Sequence, residues 1–343
     1  MKTEILSTHT PALFNAAVKR AAGLLRAGDV VALPTETVYG LAANALEAKA
    51  VAGIFQIKGR PANNPIIVHV ASLEMARRCC RQWPAPAEKL AQAFWPGPLT
   101  LVLPRARTIP DVVTASGDTV GVRWPSHPFI QAVIRQCGFP LAAPSANVSS
   151  RLSPTTAEHV RAQLGGKIPL IVDGGQSQVG IESTVLDLTP LLRADAGPVR
   201  ILRPGMIHDE SLAAVIGQVR SSEFRARSPM AALPAPGLLK KHYAPKAKLL
   251  VLRWAGESDL LSQLAARRWP PAECHVIAHT NIPPAKNFAG LSVMPHDAGA
   301  FARALYAELH RCDEAGAAAI VVEAPPETPE WSGIADRLRR AAA

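Results

Sequence analysis

The sequence predicts an α/β fold in two parts: a twisted mixed sheet with its helices over residues 1–207, and a small Rossmann-like parallel α/β unit over residues 248–343. Three observations carry the prediction. Short apolar runs of strand character alternate with segments of helical periodicity from Thr10 onward. Between Ser221 and Pro245 the texture changes to Pro229, Pro234, Pro236, Gly237 and Pro245 among scattered Arg and Lys, which marks residues 208–247 as a linker. Beyond it, strand and helix patterns alternate again.

Thr10-Pro11 opens the first helix: the threonine suits the N-cap, the proline suits the first helical position, and Gly28 closes it. Leu13, Ala17, Ala21, Leu24 and Leu25 fall on one face. Val30 to Leu33 reads as a short buried strand that Pro34 stops. Helices are then expected over 47–57, 72–80, 86–95, 128–136, 155–164 and 210–219. Strands are expected over 66–70, 99–103, 119–123, 141–143, 168–172, 184–188 and 199–202. In the C-terminal part, strands over 248–252, 274–278 and 318–322 alternate with helices over 257–266, 298–311 and 333–341.

Of the 343 residues 48% are hydrophobic, enough to bury a sizeable core, and the formal net charge is +10, which points to an anionic partner such as a nucleotide, RNA or a membrane surface. The basic residues do not form one block, so a basic tail is not expected. Five cysteines without a C-x-x-C pair argue against a disulfide framework and a zinc site and fit a reducing compartment. With no signal-peptide pattern and no apolar run of the ~18 residues a membrane helix needs, a cytoplasmic location is expected.

The standard catalytic fingerprints are missing. Gly166-Lys167 is followed by Ile168 and does not complete a P-loop, and G-x-G-x-x-G, H-E-x-x-H and G-x-S-x-G do not occur. A P-loop ATPase, a dinucleotide enzyme, a zincin and an α/β-hydrolase are thereby disfavoured, and no nucleotide chemistry is expected in the C-terminal unit.

Six polar segments break the apolar pattern of the first part, where ligands of open α/β sheets gather at strand ends. Pro34 to Gly40 offers Thr35, Glu36 and Thr37; it reads as a ligand loop or as a strand-to-helix turn with capping threonines. Lys58 to Pro65 places Lys58 and Arg60 around a glycine, cations suited to phosphate oxygens. His69 lies in the following apolar strand and is either a satisfied core residue or a ligand. In Thr119 to Pro125, alternation puts Thr119, Gly121 and Arg123 on one face, where Arg123 needs a ligand anion or an acidic side chain. Ala142 to Ser153 supplies small residues, hydroxyls and the Asn147 amide. Glu182-Ser183-Thr184 and Arg203-Pro204-Gly205 flank strands. Together these provide cations and hydroxyls with no obvious nucleophile, which suits catalysis by binding rather than by covalent intermediates.

The strings PTETVYGLAANA, KGRPANNPIIVHV, WPGPLTLVL, TVGVRWPSHP, APSANVS, ESTVLDL and RILRPGMI follow one another in this order. With them the chain resembles the Sua5/YrdC family of threonylcarbamoyladenylate synthases, and APGLLKKHYAP with the ending GIADRLRRAA resembles the long Sua5 form. The resemblance implies a YrdC-like catalytic domain that joins L-threonine, bicarbonate or carbon dioxide and ATP into threonylcarbamoyl-AMP, with pyrophosphate leaving. A separate tRNA threonylcarbamoyl transferase would carry the group to adenosine 37. By resemblance, Thr35, His69, Arg123, Ala143 (through its backbone) and Ser183 hold threonine, with Arg123 on its carboxylate. Lys58, Arg60, Asn64, Thr119, Ser145, Asn147, Ser153, Arg203 and Tyr243 hold ATP, with Lys58 and Arg60 catalytic and Lys58 and Ser145 near the carbamate. Mg²⁺ would bridge phosphate oxygens with few or no protein ligands. The linker with His242 and Tyr243 is expected to act as a lid. An RNA-binding or ribosome-assembly factor is the competing class, weakened by the scarcity of aromatic stacking residues; weak RNA binding remains an expectation beside the enzymatic one. Relatives among hydrogenase maturation proteins carry zinc-finger and acylphosphatase-like segments that this chain lacks.

Overall fold

A computed structural model describes residues 2–192, 197–221, Pro236 and 242–343. The chain divides into two compact units, one of Met1–Ser149 with Ser153–Leu238, the other of Ser150–Leu152 with Leu239–Ala343. Most of the expected lid segment lies outside the described residues.

The first unit is built on eleven strands: β1 (Glu4–Ser7), β2 (Val31–Leu33), β3 (Gly40–Asn44), β4 (Val68–His69), β5 (Leu99–Pro104), β6 (Thr119–Arg123), β7 (Leu141–Ala142), β8 (Leu170–Asp173), β9 (Thr184–Asp187), β10 (Val199–Arg203) and β11 (Val219–Ser221). They lie in the order β1-β8-β2-β3-β7-β4-β6-β5-β9-β10-β11, with parallel and antiparallel neighbours mixed, as expected. Its helices are α1 (Pro11–Arg26), α2 (Ala48–Lys58), α3 (Leu73–Cys79), α4 (Ala85–Phe94), α5 (Asp111–Thr114), α6 (Pro128–Cys137), α7 (Ala157–Leu164) and α8 (Asp209–Ile216). Thr10 caps α1 by accepting from the Leu13 amide, and Pro11 takes its first turn. Leu33, Leu41, Val68, Leu101, Val122 and Phe129 are fully out of water in one continuous core. Burying a side chain of this size stabilises by roughly 1.5–3 kcal/mol.

Two departures matter for the site. Gly40–Asn44 is a strand, β3, paired antiparallel with β2 on one side and β7 on the other. Pro34–Tyr39 is therefore a hairpin connection, not the strand-to-helix turn the sequence allowed. The run Gly-Leu-Ala-Ala-Asn has no β-branched residue, so its strand character comes from pairing on both edges rather than from propensity. Short strands at Glu4–Ser7, Val219–Ser221 and Gly290–Val293, and a single helical turn at Asp111–Thr114, are likewise additions to the sequence reading.

The second unit holds β12 (Lys248–Leu252), β13 (Cys274–Ala278), β14 (Gly290–Val293) and β15 (Ala319–Glu323), with α9 (Glu257–Ala266), α10 (Ala298–Glu314) and α11 (Ser332–Ala342). All strand pairs are parallel, in the order β12-β15-β13-β14. At the carboxyl end of β13, where such sheets commonly take a phosphate, the backbone amides of His279, Thr280 and Asn281 instead donate to the Glu323 carboxylate at 2.7, 2.9 and 3.0 Å. The domain's own acid fills its anion nest.

Candidate active site

The hairpin loop after β2 is held by its own hydroxyls. Thr35 donates through Oγ1 to the Val38 carbonyl at 2.6 Å and lies 3.0 Å from Thr37 Oγ1. Neighbouring loops tie it down. The Ser177 hydroxyl donates to the Thr35 carbonyl, the Val179 amide to the Glu36 carbonyl, and the Tyr39 amide to the Pro154 carbonyl. A loop fixed at so many points is a preorganised surface rather than a mobile turn.

His69 and Arg123 stand side by side, because the parallel register of β4 and β6 pairs them directly. Both are buried. Arg123 donates through Nη1 to Thr37 Oγ1 at 2.9 Å and through Nε to the Gly97 carbonyl at 3.3 Å. Its Nη2 lies 2.7 Å from Glu36 Oε1 without an aligned hydrogen bond. Of the two partners the sequence allowed for Arg123, the acidic side chain is present. The Gly97 carbonyl reaches Arg123 through a turn only glycine permits: a Cβ there would meet the Phe94 carbonyl oxygen at 2.3 Å. Desolvation pulls the Glu36 pKa upward, but the Arg123 charge and the Ser126 amide, which donates to Oε1 at 3.0 Å, outweigh it and hold the carboxyl below its ordinary value. Burial, with the Arg123 charge beside it, lowers His69 to about 3, so its imidazole is neutral. Among the described residues, Glu36 Oε2 and His69 Nδ1 are buried without a hydrogen-bond partner.

Lys58 and Arg60 take their places from the end of α2. Gly59 closes that helix in the left-handed region at φ 60°, and the chain folds back so that the Arg60 amide donates to the Phe55 carbonyl. The Lys58 ammonium donates to the carbonyls of Ser145 and Asn147 at 2.6 and 2.5 Å and to Asn147 Oδ1 at 3.3 Å. Burial and then the Arg60 charge hold its pKa well below the usual lysine value, while three oxygens around Nζ favour the charged form. Arg60 donates to the Asn64 and Pro65 carbonyls and to Asn64 Oδ1, leaving buried Asn64 Nδ2 without a partner among the described residues. Arg60 also lines an open groove of about 830 Å³ with Phe55, Gln56, Asn63, Asp111 and Ser116.

The remaining expected residues divide between two places. Arg203 closes on Ser183, donating from Nε and Nη2 to its carbonyl and from Nη2 to its hydroxyl; Ser183 Oγ also lies 2.8 Å from Thr100 Oγ1. Ser153 donates to Glu182 Oε1 at 2.5 Å. Asn147 donates through Nδ2 to the Val148 carbonyl. The Ala143 amide donates to the Ile67 carbonyl, which sets the chain that leads into Ser145 beside β4. Thr119 opens β6 and is half-buried. Tyr243 belongs to the second unit, where its ring meets His242 edge-on and lies 5.3 Å from the Arg337 guanidinium carbon. In that unit His275, Glu308 and Cys312 also approach one another. Arg311 Nη2 is already among them, 2.6 Å from Glu308 Oε1 and 2.8 Å from His275 Nε2.

Sequence reasoning offered Glu36 and Thr37 as loop groups but gave neither a ligand, and it did not name the Gly97 carbonyl. The Thr-Glu-Thr string carried a signal for the first two. Nothing local marked Gly97, whose role depends on a turn 26 residues before Arg123.

These loops bring cations and hydroxyls to one mixed sheet, and comparison with known proteins gives the class. The chain belongs to the Sua5/YrdC family: the family model described as telomere recombination matches residues 23–205, and the model for the threonylcarbamoyl-AMP synthase C-terminal domain matches residues 207–343. It is 36% identical to threonylcarbamoyl-AMP synthase of Schizosaccharomyces pombe over 97% of this chain and 90% of that one. Identity to the enzyme of that name from Pyrococcus abyssi is 47%, covering 68% of this chain and 67% of the other. The crystal structure of P. abyssi Sua5 complexed with L-threonine matches with a TM-score of 0.88 at 36% identity, covering 100% of this chain and 98% of that one. All five cysteines are free and buried, and no described helix is long and apolar enough to cross a membrane.

Proposed function

We propose that this protein is a threonylcarbamoyl-AMP synthase: it condenses L-threonine, bicarbonate or carbon dioxide, and ATP, and supplies the product to a tRNA threonylcarbamoyl transferase acting at adenosine 37. The observation that carries the reading is full-length similarity to a Sua5 whose structure holds L-threonine, joined to a first unit in which His69 and Arg123 pair in register on neighbouring strands and Thr37, two residues after Thr35, accepts from Arg123. In this reading Arg123 takes the threonine carboxylate, with Thr35, His69, Ser183 and the Ala143 backbone around the rest of the molecule. The amine, once carboxylated, presents a carbamate oxygen that attacks the α-phosphorus. The new P–O bond forms as the bond to pyrophosphate breaks.

Such a displacement needs positioning and charge neutralisation more than covalent help. Arg60, Arg203, Asn64, Asn147, Ser145, Ser153 and Thr119 would hold the nucleotide in line. Lys58 acts by setting the backbone of the 145–147 loop. Of the two carboxylates named here, Glu36 turns Oε1 to Arg123 and the Ser126 amide, and Glu182 turns Oε1 to Ser153. That donor set fits a Mg²⁺ that arrives on the phosphates and neutralises their charge there. The test is pyrophosphate release from the folded protein given ATP and bicarbonate. Release that rises with added L-threonine is expected; none would overturn the proposal.

A further inference from the structure

The proposed threonine site leaves one buried group without a task. Glu36 Oε1 faces Arg123 and accepts from the Ser126 amide, yet Oε2 is buried with no partner among the described residues. A carboxylate oxygen taken out of water and left unpaired costs free energy, so its persistence calls for a group that completes it. We infer that Glu36 receives the ammonium group of the amino-acid substrate and so selects α-amino acids over 2-hydroxy acids of the same shape. The inference rests on the reading that this unit binds L-threonine.

Charge and geometry support the assignment. A free amino acid at neutral pH is a zwitterion whose ammonium and carboxylate are attached to the same carbon. Glu36 and Arg123 present the complementary pair 2.7 Å apart, both almost fully buried. The other acceptors nearby are engaged: Thr35 Oγ1 and Thr37 Oγ1 face each other, and Thr37 accepts from Arg123. His69, paired in register with Arg123, is neutral and offers no counter-charge. Glu36 stays ionised because Arg123 outweighs its desolvation together with Ser126. With Arg123 on the substrate carboxylate, the orphan oxygen on its neighbour falls to the substrate amine.

The experiment is calorimetric binding to the full chain of L-threonine and of its 2-hydroxy analogue, in which a hydroxyl replaces the amine. Both ligands keep the carboxylate, so their affinity ratio cancels any change at Arg123. Wild-type protein should prefer L-threonine by roughly ten- to hundredfold, the range of a buried hydrogen bond to a charged group. In Glu36→Gln, with folding checked by thermal unfolding, the preference should fall to within about threefold. If that variant does not fold, Glu36→Asp, which withdraws the carboxylate by one methylene, should lower the ratio by at least about threefold. Equal affinity of the wild type for both ligands, or an unchanged ratio in the folded variant, overturns the role of Glu36 alone. Failure of the wild type to bind L-threonine overturns the functional reading, and this inference with it.

Discussion

The Lys58 ammonium donates to the carbonyl oxygens of Ser145 and Asn147, 87 and 89 residues further along the chain. The lysine that the sequence offers to phosphate thus tethers the backbone of the loop that carries two other expected site residues. Lys58→Met keeps the buried stem and removes the donors. It should cost about 1–3 kcal/mol in urea unfolding, because buried acceptors lose their partner. Threonine-dependent pyrophosphate release should fall by at least about tenfold as the loop loses its position.

Arg123 and Glu36 form a buried pair, and breaking such a pair from one side is expensive. Arg123→Met leaves the Glu36 carboxylate uncompensated and should destabilise the protein by about 3–5 kcal/mol. Combining it with Glu36→Gln should recover much of that loss. The measurement is a double-mutant cycle on urea midpoints; additive effects would show that the two side chains do not depend on each other.

His69 makes stability sensitive to acid. Its folded pKa of about 3 lies below the ordinary 6.5, so the unfolded chain binds the proton more readily between these values. Stability from this group is complete above about pH 6.5 and declines as pH falls toward 3. His69→Gln removes the titration. Its urea midpoint should therefore fall less steeply than that of the wild type between pH 6.5 and 5, above the range where carboxylates protonate.

Glu323 should matter for the second unit in the opposite chemical sense. Desolvation favours its neutral form, but the amides of His279, Thr280 and Asn281 hold its pKa below the ordinary value. Glu323→Gln places an amide donor against those N–H groups and should lower the stability of this unit by about 1–3 kcal/mol. Unfolding followed through Trp254 and Trp331 fluorescence would report it. As pH falls through the depressed pKa, the wild type should lose the same contribution.

Much of the fold was legible because it rests on local chemistry. Thr10-Pro11 starts a helix wherever that pair precedes an apolar stripe, and three of the four parallel C-terminal strands, at 248–252, 274–278 and 319–323, read as apolar runs. Gly40–Asn44 was not legible, because two neighbouring strands make it a strand. The site was legible as a set of polar segments, since Lys58, Arg60, His69 and Arg123 each interrupt an apolar pattern. Their partnerships were not: Arg123 needed a counter-charge, but only the hairpin of β2 and β3 shows that Glu36 supplies it.

The sequence by itself determined which residue types this protein brings to its chemistry, cations and hydroxyls without a nucleophile, and the order in which they come. The tertiary structure alone decided how they are spent. Register aligns His69 with Arg123, the closure of α2 at Gly59 turns Arg60 toward Asn64, and Lys58 is drawn to carbonyls far along the chain. Burial then makes each assignment binding, because a charge removed from water must be satisfied by whatever the fold places beside it.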